Sequence, residues 1–147
     1  MKSIFDKTDN AIIINRINKL TPESKAEWGK MSVDQMLEHT NAAVIVAFGE
    51  KELKVNFLIK LVGKILKKKV FNSEFKKNSP TAKEFVFTAQ YDFEHSKNEL
   101  IKNFSRFAAG IESIKTNDHP FWGNMSPEDW NKLMWKHVDH HLKQFGV

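Results

Sequence analysis

His137 and His141 stand four residues apart near the end of this 147-residue chain, in Trp-Lys-His-Val-Asp-His-His-Leu-Lys-Gln. Imidazole is the commonest side-chain ligand of transition metals. On an α-helix, residues i and i+4 lie one above the other, so two rings at this spacing can converge on one ion. The same pair also fits two packing residues hydrogen-bonded inside a core, and a His-x-x-x-His spacing does not separate these readings. One helix face supplies only two ligands. The metal reading therefore needs a third ligand from another segment.

The segment that carries the pair has the start signals of a helix. Ser126 can cap it, Pro127 has no N–H to leave unpaired, and Glu128 and Asp129 oppose the positive end of the helix dipole. Gly146 suits its stop. At 3.6 residues per turn, Trp130, Leu133, Met134, His137, Val138, His141 and Phe145 form one apolar stripe. Both histidines thus sit in the face expected to point inward. His140 falls at the edge with Asp129, Lys132, Lys136 and Lys143 and reads as solvent-facing.

A third candidate lies far upstream. Ser32-Val-Asp-Gln35 is a capping-box pattern that opens a helix running to about Phe48, before Gly49. Met36, His39, Ala43, Val46 and Ala47 share its inward face, and the small Ala43 and Ala47 leave space beside the His39 ring. A buried, hydrogen-bonded histidine fits that position equally. Two more helices are expected, over 9–20 with Ile12, Ile13, Ile17 and Leu20 inward, and over 92–109 with Leu100, Phe104, Phe107 and Ala108 inward. Thr21 to Trp28 reads as a short helical turn, Phe85 to Tyr91 as an extended linker, and His119-Pro-Phe-Trp-Gly123 as a loop whose aromatics cover one end of the helices. His95 and His119 are not expected to be ligands.

Residues 51–70 alternate lysine with aliphatic side chains, with Lys60, Lys64 and Lys67 on one side and Leu58, Leu61, Val62, Ile65 and Leu66 largely on the other. Such a segment can lie on a membrane or bind a polyanion. The expectation is a short extra basic helix whose lysines are solvated while the apolar face packs on the core. No aromatic residue interleaves with the lysines as nucleic-acid stacking would require.

Composition sets the outer limits. A length of 147 residues suits one domain, 1–147, with a core of its own. There is no cysteine, which removes disulfides, thiolate zinc sites and a cysteine nucleophile, and suits a reducing cytoplasm. No apolar run has the length of a signal peptide core or a membrane span, so no membrane is expected as a partner. A net charge of +5 hardly argues for nucleic acid.

The segment Trp28-Gly-Lys-Met-Ser-Val-Asp-Gln-Met-Leu-Glu-His39, taken with His137-Val-Asp-His-His141-Leu-Lys-Gln144, resembles the DinB/YfiT-like superfamily. It is most similar to a branch without an assigned activity, marked by Ser79-Pro-Thr81, His119-Pro-Phe-Trp-Gly123 and a C-terminal Gln-Phe-Gly. The resemblance spans nearly the whole chain. It implies an all-α fold, a DinB-like four-helix bundle, with a divalent-metal site made by His39, His137 and His141. Characterised members include thiol S-transferases and a thiol-dependent isomerase that use low-molecular-weight thiols. The resemblance therefore implies a metal-dependent transferase of such a thiol onto an electrophile, with a small-molecule substrate and room for a homodimer. The alternative is a non-catalytic metal-holding bundle with a structural or stress-response role. Leu142 stands where the superfamily's His-His-Arg-x-Gln ending carries arginine.

Three neutral imidazoles suit Zn, Ni, Cu or Fe and leave a coordination position open, with zinc or nickel the expected ion. Free histidine titrates at about pH 6.5, so affinity is expected to weaken as pH falls through the range around 6. No residue stands out as a general base: Gln35 suits hydrogen bonding, and Glu38 lies off the inward face.

Overall fold

The computed structural model describes residues 2–147. Five α-helices dominate: α1 (Lys7–Asn18), α2 (Val33–Val46), α3 (Phe57–Asn72), α4 (Phe93–Ser105) and α5 (Pro127–Gln144). Short 3₁₀ turns occupy Lys83–Phe85, Arg106–Ala109 and Ile111–Ser113. A two-residue hairpin, β1 (Asp118–His119) and β2 (Gly123–Asn124), pairs antiparallel with Asp118 opposite Asn124.

Each helix begins where a side chain can take up its free N–H groups. Asp6 caps α1, accepting from Thr8 N and Asp9 N, both at 2.9 Å. Asp9 instead accepts from Ser3 N at 2.9 Å, which ties down the N-terminal segment. The Ser32 amide donates to Gln35 Oε1 at 3.1 Å ahead of α2. Asp92 accepts from His95 N at 2.7 Å ahead of α4. At α5, Ser126 and Asp129 exchange two reciprocal bonds of 3.1 Å. The helical turn expected over 21–28 is not formed. Thr21 and Ser24 instead close a turn on each other, Thr21 N donating to Ser24 Oγ at 2.9 Å. That local side-chain bond competes with helix propagation.

Helices α1 and α2 each pack on both α4 and α5. The space between them is filled by Ile13 and Ile17, Met36 and Leu37, Leu100 and Phe104, and Trp130, Met134 and Val138, all at most 1% exposed. These are largely the stripes that helical periodicity marks. Among the described residues, buried side-chain polar atoms other than His137 Nδ1 are partnered. Trp130 Nε1 donates to Thr116 O at 3.0 Å. The Asn10 amide donates to Ile4 O at 2.9 Å and Phe104 O at 3.0 Å, joining the N-terminal segment to the end of α4.

Helix α3 departs from expectation. It is 16 residues long rather than short, and Asn56 caps it, its side chain accepting from Leu58 N at 2.8 Å, so residues 51–56 lie outside it. It packs on α5 and β2 with its lysine side inward. Lys60 pairs with Asp118 at 2.6 Å, and Lys67 with Asp129 at 2.7 Å and the Asn124 carbonyl at 2.5 Å. Gly63 lies so close to Phe121 that a Cβ there would collide with the Phe121 carbonyl. The aliphatic side chains face solvent. The expected orientation is thus reversed. The surface beneath α3 offers two carboxylates and a backbone contact that only glycine permits.

Asn10→Ala is expected to leave the Ile4 and Phe104 carbonyls without a partner in a site from which water is excluded. The cost should be about 1–3 kcal/mol, read as a lower midpoint in urea unfolding with unchanged slope. An unchanged midpoint would show that this link carries no stability.

Candidate metal centre

Helix α2 brings His39 and helix α5 brings His137 and His141 to one place in the helix interior. The Nε2 atoms of His39 and His137 lie 3.0 Å apart. Ring centroids are separated by 5.0 Å for His39–His137 and 4.7 Å for both His39–His141 and His137–His141, nearly an equilateral triangle. One nitrogen from each ring falls within 4.8 Å of the others. Three imidazoles on one ion at about 2.0–2.1 Å would place their nitrogens about 3.3 Å apart. The 3.0 Å between His39 and His137 is close to that. Among the described residues, no carboxylate joins the three.

The far side of each ring decides which nitrogen is free. His39 Nδ1–H donates to the Phe85 carbonyl at 2.9 Å, which leaves the Nε2 lone pair facing the other histidines. His141 Nδ1–H donates to Gln144 Oε1 at 2.8 Å with the same result. Gln144 is fixed in turn, its Nε2 donating to Trp28 O at 2.7 Å and its carbonyl accepting from Glu27 N at 2.8 Å. The 27–29 loop comes this close because Gly29 has φ +84°, and a Cβ there would stand 2.6 Å from Gln144 Nε2. His137 differs: its Nδ1 is buried and has no hydrogen-bond partner. Its other nitrogen, Nε2, faces His39 Nε2, and an ion held between the rings would replace that close approach of two ring nitrogens. The donor set therefore fits a divalent transition metal.

The remaining candidates separate cleanly. His140 is half-buried rather than solvent-facing, because Trp28 (5.7 Å) and Phe75 (6.0 Å) pack against its ring from segments outside α5. His119 is buried beside Trp130, and its Nδ1 accepts from Phe121 N at 3.1 Å and Trp122 N at 3.4 Å, so it shapes the hairpin. His95 is exposed on α4. Glu38 accepts from Ser96 Oγ at 2.6 Å, away from the histidines, and Gln35 donates to Ala89 O at 3.1 Å. Periodicity could not reveal Phe85, whose carbonyl orients His39 and whose ring, 6.3 Å away, walls the site. Its segment reads only as a linker. Gln144, three residues after His141, was visible as part of the C-terminal motif, but not its role.

Burial pushes all the inner histidines towards their neutral forms. His39 is lowered by desolvation, against which its bond to the Phe85 carbonyl works. His137 is driven well below its ordinary value, first by burial and then by the neighbouring imidazoles. His141 falls to about 3, mainly by burial, with His39 adding to it. His119 also falls to about 3 through burial. Protons therefore compete for the folded site at lower pH than the range around 6 expected from free histidine.

The consequence for stability has a definite sign. The unfolded chain takes up these protons at about pH 6.5, the folded chain only at lower pH, so the unfolded state binds more protons in between. Stability of the metal-free protein should be greatest above about pH 6.5 and should decline as pH falls below it. The decline should approach about 1.4 kcal/mol per pH unit for each strongly depressed histidine. Urea unfolding in chelator on either side of pH 6.5 measures this, and equal stability at both would contradict the buried neutral state.

The family described as "Protein of unknown function (DUF1569)" has a model that matches residues 2–146. No curated protein and no solved structure matches the chain. With 2–146 of its 147 residues aligned, the chain belongs to the DUF1569 family.

Proposed function

We propose that this protein is a DinB/YfiT-like four-helix bundle, formed by α1, α2, α4 and α5, that binds one zinc or nickel ion through His39, His137 and His141. In this reading it transfers a low-molecular-weight thiol onto a small electrophile. The observation that carries it is the convergence of three imidazoles, two with their outer nitrogens already bonded and the third with a buried nitrogen left over. The ion would supply Lewis acidity, lowering the pKa of a thiol so that it is nucleophilic near neutral pH.

The chain's own residues do the rest. Phe85 O and Gln144 Oε1 hold the His39 and His141 rings in the tautomer that leaves Nε2 free. Phe75 and Phe85 stand against His137 and His39 and keep water from the inner side. The chain has no cysteine, so the sulfur arrives on the cosubstrate. Glu38 is engaged by Ser96 and Asp139 by Arg16 at 2.6 Å, which leaves neither carboxylate to act as a hydrolytic base. That arrangement favours transfer from a thiol over hydrolysis. A second reading, a metal-holding bundle without catalysis, is favoured by burial: His39 is 5% and His141 8% exposed, leaving a narrow approach.

Elemental analysis of purified protein should find about one transition-metal ion per chain. His39→Ala, His137→Ala and His141→Ala should each lose most of it, and His140→Ala should keep it. Gln144→Ala should weaken affinity about 10–100-fold through loss of its bond to His141. Full occupancy in His39→Ala would overturn the site. A panel of small thiols with chlorodinitrobenzene or an epoxide, run with and without metal, then separates the two readings. Metal-dependent thioether formation supports the transferase, and inertness of the metal-loaded protein supports the holding role.

A further inference from the structure

We propose that α3 is a membrane-surface helix that lays its apolar face on a bilayer carrying anionic phospholipid. Its outward side presents Phe57, Leu58, Leu61, Val62, Ile65 and Leu66 over three turns, with Phe57 76%, Leu58 65% and Ile65 72% exposed. A run of this kind on one helix exceeds the scattered apolar residues of an ordinary surface. It is no loose segment turned outward by chance: the pairs Lys60–Asp118 and Lys67–Asp129 and the Gly63 contact fix which side faces in.

Charge decides the occupant. Residues 51–77 contain nine lysines against two glutamates, Glu52 and Glu74, and α3 itself carries no acidic residue. Lys68 and Lys69 continue the apolar stripe at its C-terminal end, whereas the stem of Lys64 lies against Gly123 on the inward side. None of these three has a carboxylate within salt-bridge distance among the described residues. A second copy on this face would bring two sets of unopposed lysines together, which repels. A lipid phosphate layer opposes them, while the acyl boundary takes up the Phe, Leu and Ile side chains. No helix among the described residues is long and apolar enough to cross a membrane, so the contact lies on the surface. The absence of a spanning segment, from which no membrane contact was expected, leaves this mode open. This inference stands apart from the metal reading, since α3 contributes no histidine.

Co-sedimentation of the full chain with vesicles tests it, using phosphatidylcholine alone and phosphatidylcholine mixed with phosphatidylglycerol, at low and high salt. Binding to the mixed vesicles, weakened by salt, is the expected result. Leu61→Glu with Ile65→Glu, and separately Lys68→Glu with Lys69→Glu, should each reduce the partition coefficient by at least about tenfold. Both variants should keep the helical circular dichroism of the parent. Ile111→Glu, which changes an exposed apolar residue elsewhere, should bind as the parent does. Failure to bind mixed vesicles at low salt overturns the proposal. So does undiminished binding by the Leu61/Ile65 variant. A parent homodimer that Ile65→Glu dissociates, without vesicle binding, would assign the face to a second copy instead.

Discussion

The structure depends on the packing of α2 against α5, because that contact brings three imidazoles into one volume of low dielectric. Nothing about a single helix requires it. His39 is 98 residues from His137 in sequence, and the apolar stripes beside them, with Met36 and Leu37 on α2 and Met134 and Val138 on α5 buried in one core, bring the two together. Hydrophobic burial is not directional. It can hold the rings near each other without fixing how they turn. Orientation comes from hydrogen bonds outside the triangle, through a carbonyl of the 83–85 turn and an amide at the end of α5. The division is clear: packing brings the ligands close, and polar contacts choose which nitrogen is offered.

This division explains the otherwise irregular parts of the chain. The segment after α3 reads as connection, yet it carries Phe85 across His39 and Phe75 against His137 and His140. The 27–29 loop bends through a positive φ at Gly29 so that Trp28 can accept from Gln144 and cover His140. Burial of this kind holds the inner histidines in the neutral form, which is the form that ligates. The same burial stores an acid sensitivity, since every neutral imidazole kept from water favours unfolding once protons are plentiful.

Much of this was legible in the sequence, for a physical reason. The helices containing Ile13, Met36, Leu100 and Met134 show because a 3.6-residue repeat is a property of the local chain, and the capping residues Ser32 and Ser126 show because they act within a turn. The three histidines show because they interrupt those apolar stripes. Their neighbours do not. The partners Phe85 and Trp28 act through backbone carbonyls, and every residue type has one. His140 looks exposed when its own helix is considered alone, but rings from the 28 and 75 positions cover it. Only contacts between distant segments carry that information.

Helix α3 marks the limit of such reading most sharply. Its amphipathic pattern is plain, and a pattern says that two faces differ, not which of them meets the protein. The usual rule puts the aliphatic side inward because apolar burial outweighs what lysine can gain. Here the surface beneath is acidic at Asp118 and Asp129 and approaches the helix backbone too closely at Gly63 for side chains to intervene. The partly buried Lys67–Asp129 pair at 2.7 Å, with the more exposed Lys60–Asp118 pair at 2.6 Å beside it, then sets the orientation. Apolar groups left in water remain unfavourable, so the folded chain by itself does not satisfy this helix. What completes it must be apolar where Leu58 and Ile65 point and anionic where Lys68 and Lys69 end.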